Sequence, residues 1–183
     1  MRSPLIRAAA ILSLVASLAA CASSRTLGGS VEDLAANTTL KGVLFSDRSH
    51  DYSDIDLTIY EGRLMLSGTM RSEEGHQKLL ENAWKADNVE QVIDEVIIAD
   101  KTSFGQGLED TRIDQSIRAK LIADRGVTNG NYKLSVSRGT VYIIGVARDE
   151  LELDRVLAAA RSTAGVEQVV SHVVYRSAAH GIQ

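Results

Sequence analysis

The chain predicts an α+β fold of two tandem helix–strand–strand–helix–strand units, each a small mixed sheet with two helices on one face. Three observations carry that expectation. The sequence aligns with itself at an offset of 77 residues, Val31–Ile98 on Leu108–Tyr175, with no gap and 17 of 68 pairs identical. Ile55, Leu57 and Ile59 alternate with Asp54, Asp56 and Thr58, the period of a half-buried strand, and Tyr132, Leu134 and Val136 repeat it. Apolar residues recur at helical spacing on either side of those strands. Two copies of about 70 residues are too few and too long for a solenoid, which leaves two small domains.

Composition bounds the function. The 183 residues carry 20 Lys+Arg against 24 Asp+Glu, a net charge of −4, and are 44% hydrophobic. These are values of an ordinary soluble globular protein, not of a disordered chain or a polytopic membrane protein. One Cys excludes an intramolecular disulfide and any Cys-clustered zinc or iron–sulfur site. The mild acidity argues against a general nucleic-acid binder.

Residues 1–20 read as a secretory signal. Arg2 and Arg7 precede an apolar run from Ala8 to Ala20, broken only by Ser13 and Ser17 and too short to span a bilayer comfortably. The run ends Leu18-Ala19-Ala20-Cys21, which resembles the bacterial lipobox, where the Cys thiol receives a diacylglyceryl group and the new amino terminus is acylated after cleavage. The alternative is a plain signal peptide with an incidental thiol. An unpaired thiol in an oxidising compartment is a liability, which favours acylation. Ala22, where enterobacterial sorting uses Asp for inner-membrane retention, points by resemblance to the outer membrane. Residues 21–30 are then the acylated Cys and a polar tether.

Residues 31–100 form the first unit, 101–107 a linker containing Gly105 and Gly107, 108–176 the second unit, and 177–183 a tail. Ser30-Val31-Glu32-Asp33 is a capping-box-like start for a helix carrying Ala36, Leu40 and Leu44. Its twin is expected to begin near Asp110, with Ile113, Ile117 and Leu121. Glu61-Gly62 and Arg138-Gly139 are two-residue turns between paired strands, the second strands running 63–70 and 140–147. Ser72 and Asp149 cap second helices buried through Leu79, Leu80 and Ala83, and through Leu153, Val156, Leu157 and Ala160. Final strands over 90–98 and 167–175 are apolar on both faces, which predicts cover on both.

The order αββαβ, the strand–Gly–strand hairpin, Gly68 and Gly145 in the second strands, and the runs Asn88-Val89-Glu90-Gln91-Val92 and Gly165-Val166-Glu167-Gln168-Val169 resemble the BON domain. With the lipobox, the chain is similar to dual BON-domain outer-membrane lipoproteins. The resemblance implies a non-enzymatic envelope protein, lipid-anchored and facing the periplasm, with anionic phospholipid as partner and a role in envelope integrity. It also implies lipid contact through the first helix of the second unit.

Nothing in the sequence assembles a catalytic site, a cofactor site or a metal site. There is no G-x-S-x-G, P-loop or H-E-x-x-H, and His50, His76, His172 and His180 are unpaired at ligand spacing. His76 is expected to be a partly covered helix residue and His172 to point outward from its strand. The acidic loop 47–54 lacks calcium-loop spacing and reads as solvated. Trp84 reads as partial core or an inter-domain contact.

Charge is unevenly placed. Residues 30–100 hold 6 basic and 15 acidic groups, whereas residues 101–183 hold 11 basic and 9 acidic. An anionic surface repels the first unit and tolerates the second. On the second unit's first helix, Ile122 lies off the stripe of Ile113, Ile117 and Leu121, between Arg118 and Arg125. Such a residue can dip into a headgroup boundary while the guanidiniums hold phosphates. Two other readings stand: Ile122 packs against the other domain or the loop after the helix, or the protein is an assembly module for an unidentified envelope protein, without lipid specificity. Replacing Cys21 tests the anchor: Cys21→Ala is expected to abolish incorporation of labelled palmitate and release the protein from the membrane fraction. Persistence of the label would refute acylation at this residue.

Overall fold

The structure is a computed structural model that describes residues 41–42, 49–100 and 102–176. The signal, Cys21, the tether, the tail, and all but Lys41 and Gly42 of the first unit's expected first helix lie outside the described residues. In the first unit, β1 (Ile55–Tyr60) and β2 (Arg63–Met70) form an antiparallel hairpin, α1 (Glu73–Trp84) crosses over, and β3 (Gln91–Ile98) returns parallel to β2. The second unit repeats this with α2 (Phe104–Ala123), β4 (Tyr132–Ser137), β5 (Thr140–Ala147), α3 (Glu150–Arg161) and β6 (Gln168–Tyr175). Each sheet has three strands, with β2 or β5 in the centre.

Local chemistry explains these elements. Glu61-Gly62 and Arg138-Gly139 have φ of 49° and 73°, and 52° and 76°. That left-handed pair matches the twist of a tight hairpin. Ser72 accepts from the Gly75 N–H at 3.1 Å and Asp149 from the Glu152 N–H at 2.8 Å, starting α1 and α3 as expected. Asn88 and Gly165 occupy the same repeat position, and both are left-handed, with φ of 60° and 89°. Asn tolerates that conformation well enough to replace Gly.

The helix over the second sheet starts earlier than expected. Ser103 caps it by accepting from the Gln106 N–H at 3.3 Å, and residues 104–107 of the expected linker are its first turn. Asp110 is therefore an interior residue. Its buried carboxylate instead accepts from the Arg138 and Gly139 N–H groups, each at 2.9 Å, and so holds the β4–β5 turn. Ile113, Ile117 and Leu121 bury against Leu134, Val141, Ile143, Val156 and Ala160 between helices and sheet. The counterpart cluster in the first unit joins Leu57, Ile59, Leu64, Leu66, Met70, Leu79 and Ala83.

A third cluster decides the architecture. Tyr60, Met65 and Ile93 of one sheet bury against Tyr142, Ile144 and Val146 of the other. The sheets stack face to face, β1 against β4, with the helices outermost. Among the described residues the order is α1, sheet, sheet, then α2 and α3. β1 was expected to be half-buried, yet Thr58 and Tyr60 on its second face are also buried, because the other unit covers them. The final strands depart the other way. Each pairs on one side only, and Ile97, Ile98, Val174 and Tyr175 at their ends are exposed. The Asp94 carboxylate accepts from the Val96 N–H, and the Ser171 hydroxyl from the Val173 N–H, which blunts both edges at the same position.

Gly68 and Gly145 lie where the neighbouring chain passes closest. A Cβ on Gly145 would run into the Asn131 carbonyl, and one on Gly68 into the Asp54 carbonyl. Gly145→Ala is expected to destabilise the protein by about 1–3 kcal/mol through this collision, measured by urea unfolding. An unchanged midpoint would show that the strands can move apart freely.

Candidate functional site

The outer helix layer of the second unit is built on firm supports. Lys120, in the last turn of α2, donates to the Ala159 carbonyl at 3.3 Å, Ser162 Oγ at 3.1 Å and Thr163 Oγ1 at 2.8 Å. Its ammonium thus meets the negative end of α3 and locks the two helices together. Asp124 ends α2, and its carboxylate accepts from the Gly126 N–H at 2.8 Å and from Arg155 at 3.3 Å. Gly126 makes room for Arg155, whose Cδ and Nε would collide with any Cβ there. Glu152, fully buried at the start of α3, accepts from the Thr128 N–H at 2.6 Å and the Arg148 N–H at 2.8 Å. The Arg148 guanidinium beside Asp149 holds that capping carboxyl below the usual carboxylate range.

On this layer Ile122 is 70% exposed, so it packs against neither the other domain nor the following loop. Arg125 follows in the exposed turn after α2. Arg118 is more constrained. Its Nε donates to Asp114 at 2.7 Å and its Nη2 to the Leu134 carbonyl at 3.1 Å, so it is neutralised and tethered toward the sheet. The structure therefore places Ile122 and Arg125 outward together and turns Arg118 aside. Leu151 on α3, 62% exposed, belongs to the same outer layer. Sequence reading passed over it, although its place off the stripe of Leu153, Val156, Leu157 and Ala160 was the available signal.

Other expectations fall differently. Trp84 is neither core nor inter-domain contact: it is 59% exposed at the end of α1, because the neighbouring unit packs on the opposite side of the sheet. His172 does not point outward to solvent. It faces the first unit and pairs with Glu95 at 2.7 Å. His76 is a partly covered helix residue whose Nε2 meets the Asp94 carboxylate at 2.9 Å. A cleft of about 660 Å³ lies beside α2 and the start of β1, but three of its four carboxylates serve the fold. Asp54 accepts from the Thr102 N–H at 2.7 Å, Asp110 holds a turn, and Asp114 holds Arg118. Among the described residues no three His, Cys, Asp or Glu side chains are grouped to hold a metal ion, and no helix is long and apolar enough to cross a membrane.

This duplicated hairpin–helix–strand architecture coincides with a known family. The BON domain profile matches residues 32–100 and 109–177. The chain belongs to the BON-domain family. It is 31% identical over 123 residues to an uncharacterized protein in the gshII 5′ region of Anaplasma centrale, covering 67% of this chain and 82% of that one. It is 28% identical over 124 residues to the 21 kDa hemolysin of Actinobacillus pleuropneumoniae, covering 66% and 62% of the two chains. Osmotically-inducible protein Y of Escherichia coli (strain K12) is 26% identical over 149 residues, 80% of this chain and 74% of that protein. Among solved structures, the C-terminal domain of CdsD, the structural protein of the type III secretion system of Chlamydia trachomatis, aligns at 17% identity and a TM-score of 0.33. That alignment covers 76% of this chain and 65% of the CdsD chain.

The first helix of the second BON unit is held by the contacts above. Glu152→Ala removes the buried acceptor of two partly buried N–H groups and is expected to cost about 1–3 kcal/mol. Faster amide hydrogen exchange at Thr128 and Arg148 would localise the loss, and unchanged exchange there would overturn it.

Proposed function

We propose that the protein is a non-enzymatic lipoprotein of the outer membrane, acylated at Cys21, whose second BON unit rests on anionic phospholipid on the periplasmic side and supports envelope integrity. The observation that carries the lipid contact is Ile122, 70% exposed on the outer helix layer, with exposed Arg125 three residues on in the turn after α2. The apolar tip enters the headgroup boundary and the guanidinium meets a phosphate. Leu151 extends the apolar contact onto α3, while Arg118 serves chiefly to hold α2 against β4. Docking through so few groups is weak. The acyl anchor compensates by raising the effective concentration of the site at the membrane.

A second reading has an observation of its own. β3 and β6 both end in exposed apolar residues on free edges, a form suited to adding a strand from a protein partner. Flotation separates the two. Residues 22–183 are expected to float on vesicles containing phosphatidylglycerol and not on phosphatidylcholine alone, and less so at high salt. Ile122→Asp combined with Arg125→Glu is expected to abolish flotation. Equal flotation on both vesicle types, or none, sinks the anionic-lipid reading and leaves the edge-strand one.

A further inference from the structure

Glu95 and His172 are 77 residues apart, which is the repeat offset, so they hold the same position in the two units. A residue that touches its own counterpart lies at a twofold axis. The rest of the interface agrees: β1 meets its counterpart β4, and the contact of β2 with β4 is mirrored by that of β1 with β5. The two units are thus joined as a symmetric homodimer would be, within one chain. In such an interface a position on the axis faces itself, while off-axis positions contact one another reciprocally, so two identical units would bring like residues together at the axis.

The polar contacts of this interface are made by positions at which the copies differ. Glu95 stands opposite His172 at 2.7 Å. Arg63, whose counterpart is Thr140, donates across the interface through Nη2 to the His172 carbonyl at 2.8 Å, while its Nε is held within its own unit by Gln91 at 2.9 Å. Glu61, whose counterpart is Arg138, pairs with Arg176 at 3.5 Å. Ser67, whose counterpart is Ile144, shares a buried hydrogen bond with Ser135 at 2.8 Å.

We infer that the interface is a specificity surface whose partner is the other repeat and not a copy of itself, with Glu95 and His172 as the determining pair. Two first units joined this way would set Glu95 against Glu95. Two second units would set imidazole against imidazole. Only the mixed pair gives a carboxylate an imidazole donor, so each unit prefers the other: paired carboxylates repel, and paired imidazoles lack the carboxylate acceptor. The covalent link keeps the matched unit at hand, and the divergence keeps like units of neighbouring molecules from pairing on a crowded membrane.

The test equalises and then exchanges the two positions in residues 22–183. Glu95→His places two imidazoles beside the Arg63 guanidinium and is the more disruptive change. His172→Glu gathers two carboxylates that Arg63 partly offsets. The exchange, E95H with H172E, rebuilds the same pair across the axis. Docking is read by urea unfolding at neutral pH, comparing fluorescence of Trp84, which reports the first unit alone, with circular dichroism of both units. The wild type is expected to show coincident transitions. E95H weakens docking about tenfold, lowers the midpoint and separates the two transitions, and the exchange restores them. An exchanged variant as uncoupled as E95H, or an E95H protein indistinguishable from wild type, would overturn the assignment.

Discussion

Among the described residues, the first sheet has one face covered by α1 and the second by α2 and α3, and the other face of each is closed by the sheet of the neighbouring unit. Much else depends on that mutual burial. A three-stranded sheet needs a packed face to stand in water, and a second apolar face left open would be an aggregation surface. Tyr60, Met65, Ile93, Tyr142, Ile144 and Val146 close both at once. Each such side chain contributes roughly 1.5–3 kcal/mol on burial. Polar residues come with them: Ser67 and Ser135 satisfy one another rather than water. The two BON units are therefore one packed body, and the helix layers are driven to opposite outer surfaces.

Much of the fold was legible because it is encoded locally. Hairpins at Glu61-Gly62 and Arg138-Gly139, caps at Ser72 and Asp149, and the stripe of Ile113, Ile117 and Leu121 all fall where spacing and turn chemistry place them. What escaped was non-local. Alternation in β1 shows which residues share a face, but not that a second sheet covers Thr58 and Tyr60. The same blindness sent His172 outward and Trp84 inward. Gly105 and Gly107 read as a linker because glycine disfavours helix, yet the Ser103 cap carries the helix through them. At the candidate site, exposure of Ile122 was readable from its angle on the helix. The engagement of Arg118 was not, since Leu134 is brought beside it only by the folded sheet.

Duplication also shows how equivalent positions come to hold different chemistry. Glu152 is fully buried and ties a loop to the start of α3, whereas its counterpart Gly75 is crowded by the Met70 side chain and the His50 ring. The first unit fills with an imidazole and a thioether the space the second fills with a carboxylate. Trp84 corresponds to Arg161, both exposed at the ends of their crossover helices. Neither change disturbs the shared sheet register, whose pairings Arg63 with Gln91 and Thr140 with Gln168 are the same contact in both copies. The register is common property, and the surfaces have diverged on top of it.

The four-layer order gives the charge asymmetry a direction. With α2 and α3 turned to an anionic membrane, α1 and its surroundings face away from it, and residues 30–100 carry 6 basic against 15 acidic groups. Repulsion of those carboxylates by phospholipid falls off within a Debye length of about 8–10 Å, less than the combined thickness of two stacked sheets and a helix layer. Headgroups therefore act strongly on the first unit only when the molecule tips over. On the proposed lipid contact, the acidic unit would resist the wrong face, while Ile122 and Arg125 would favour the right one. Both surfaces would contribute to the proposed orientation, because the buried interface joins the two units.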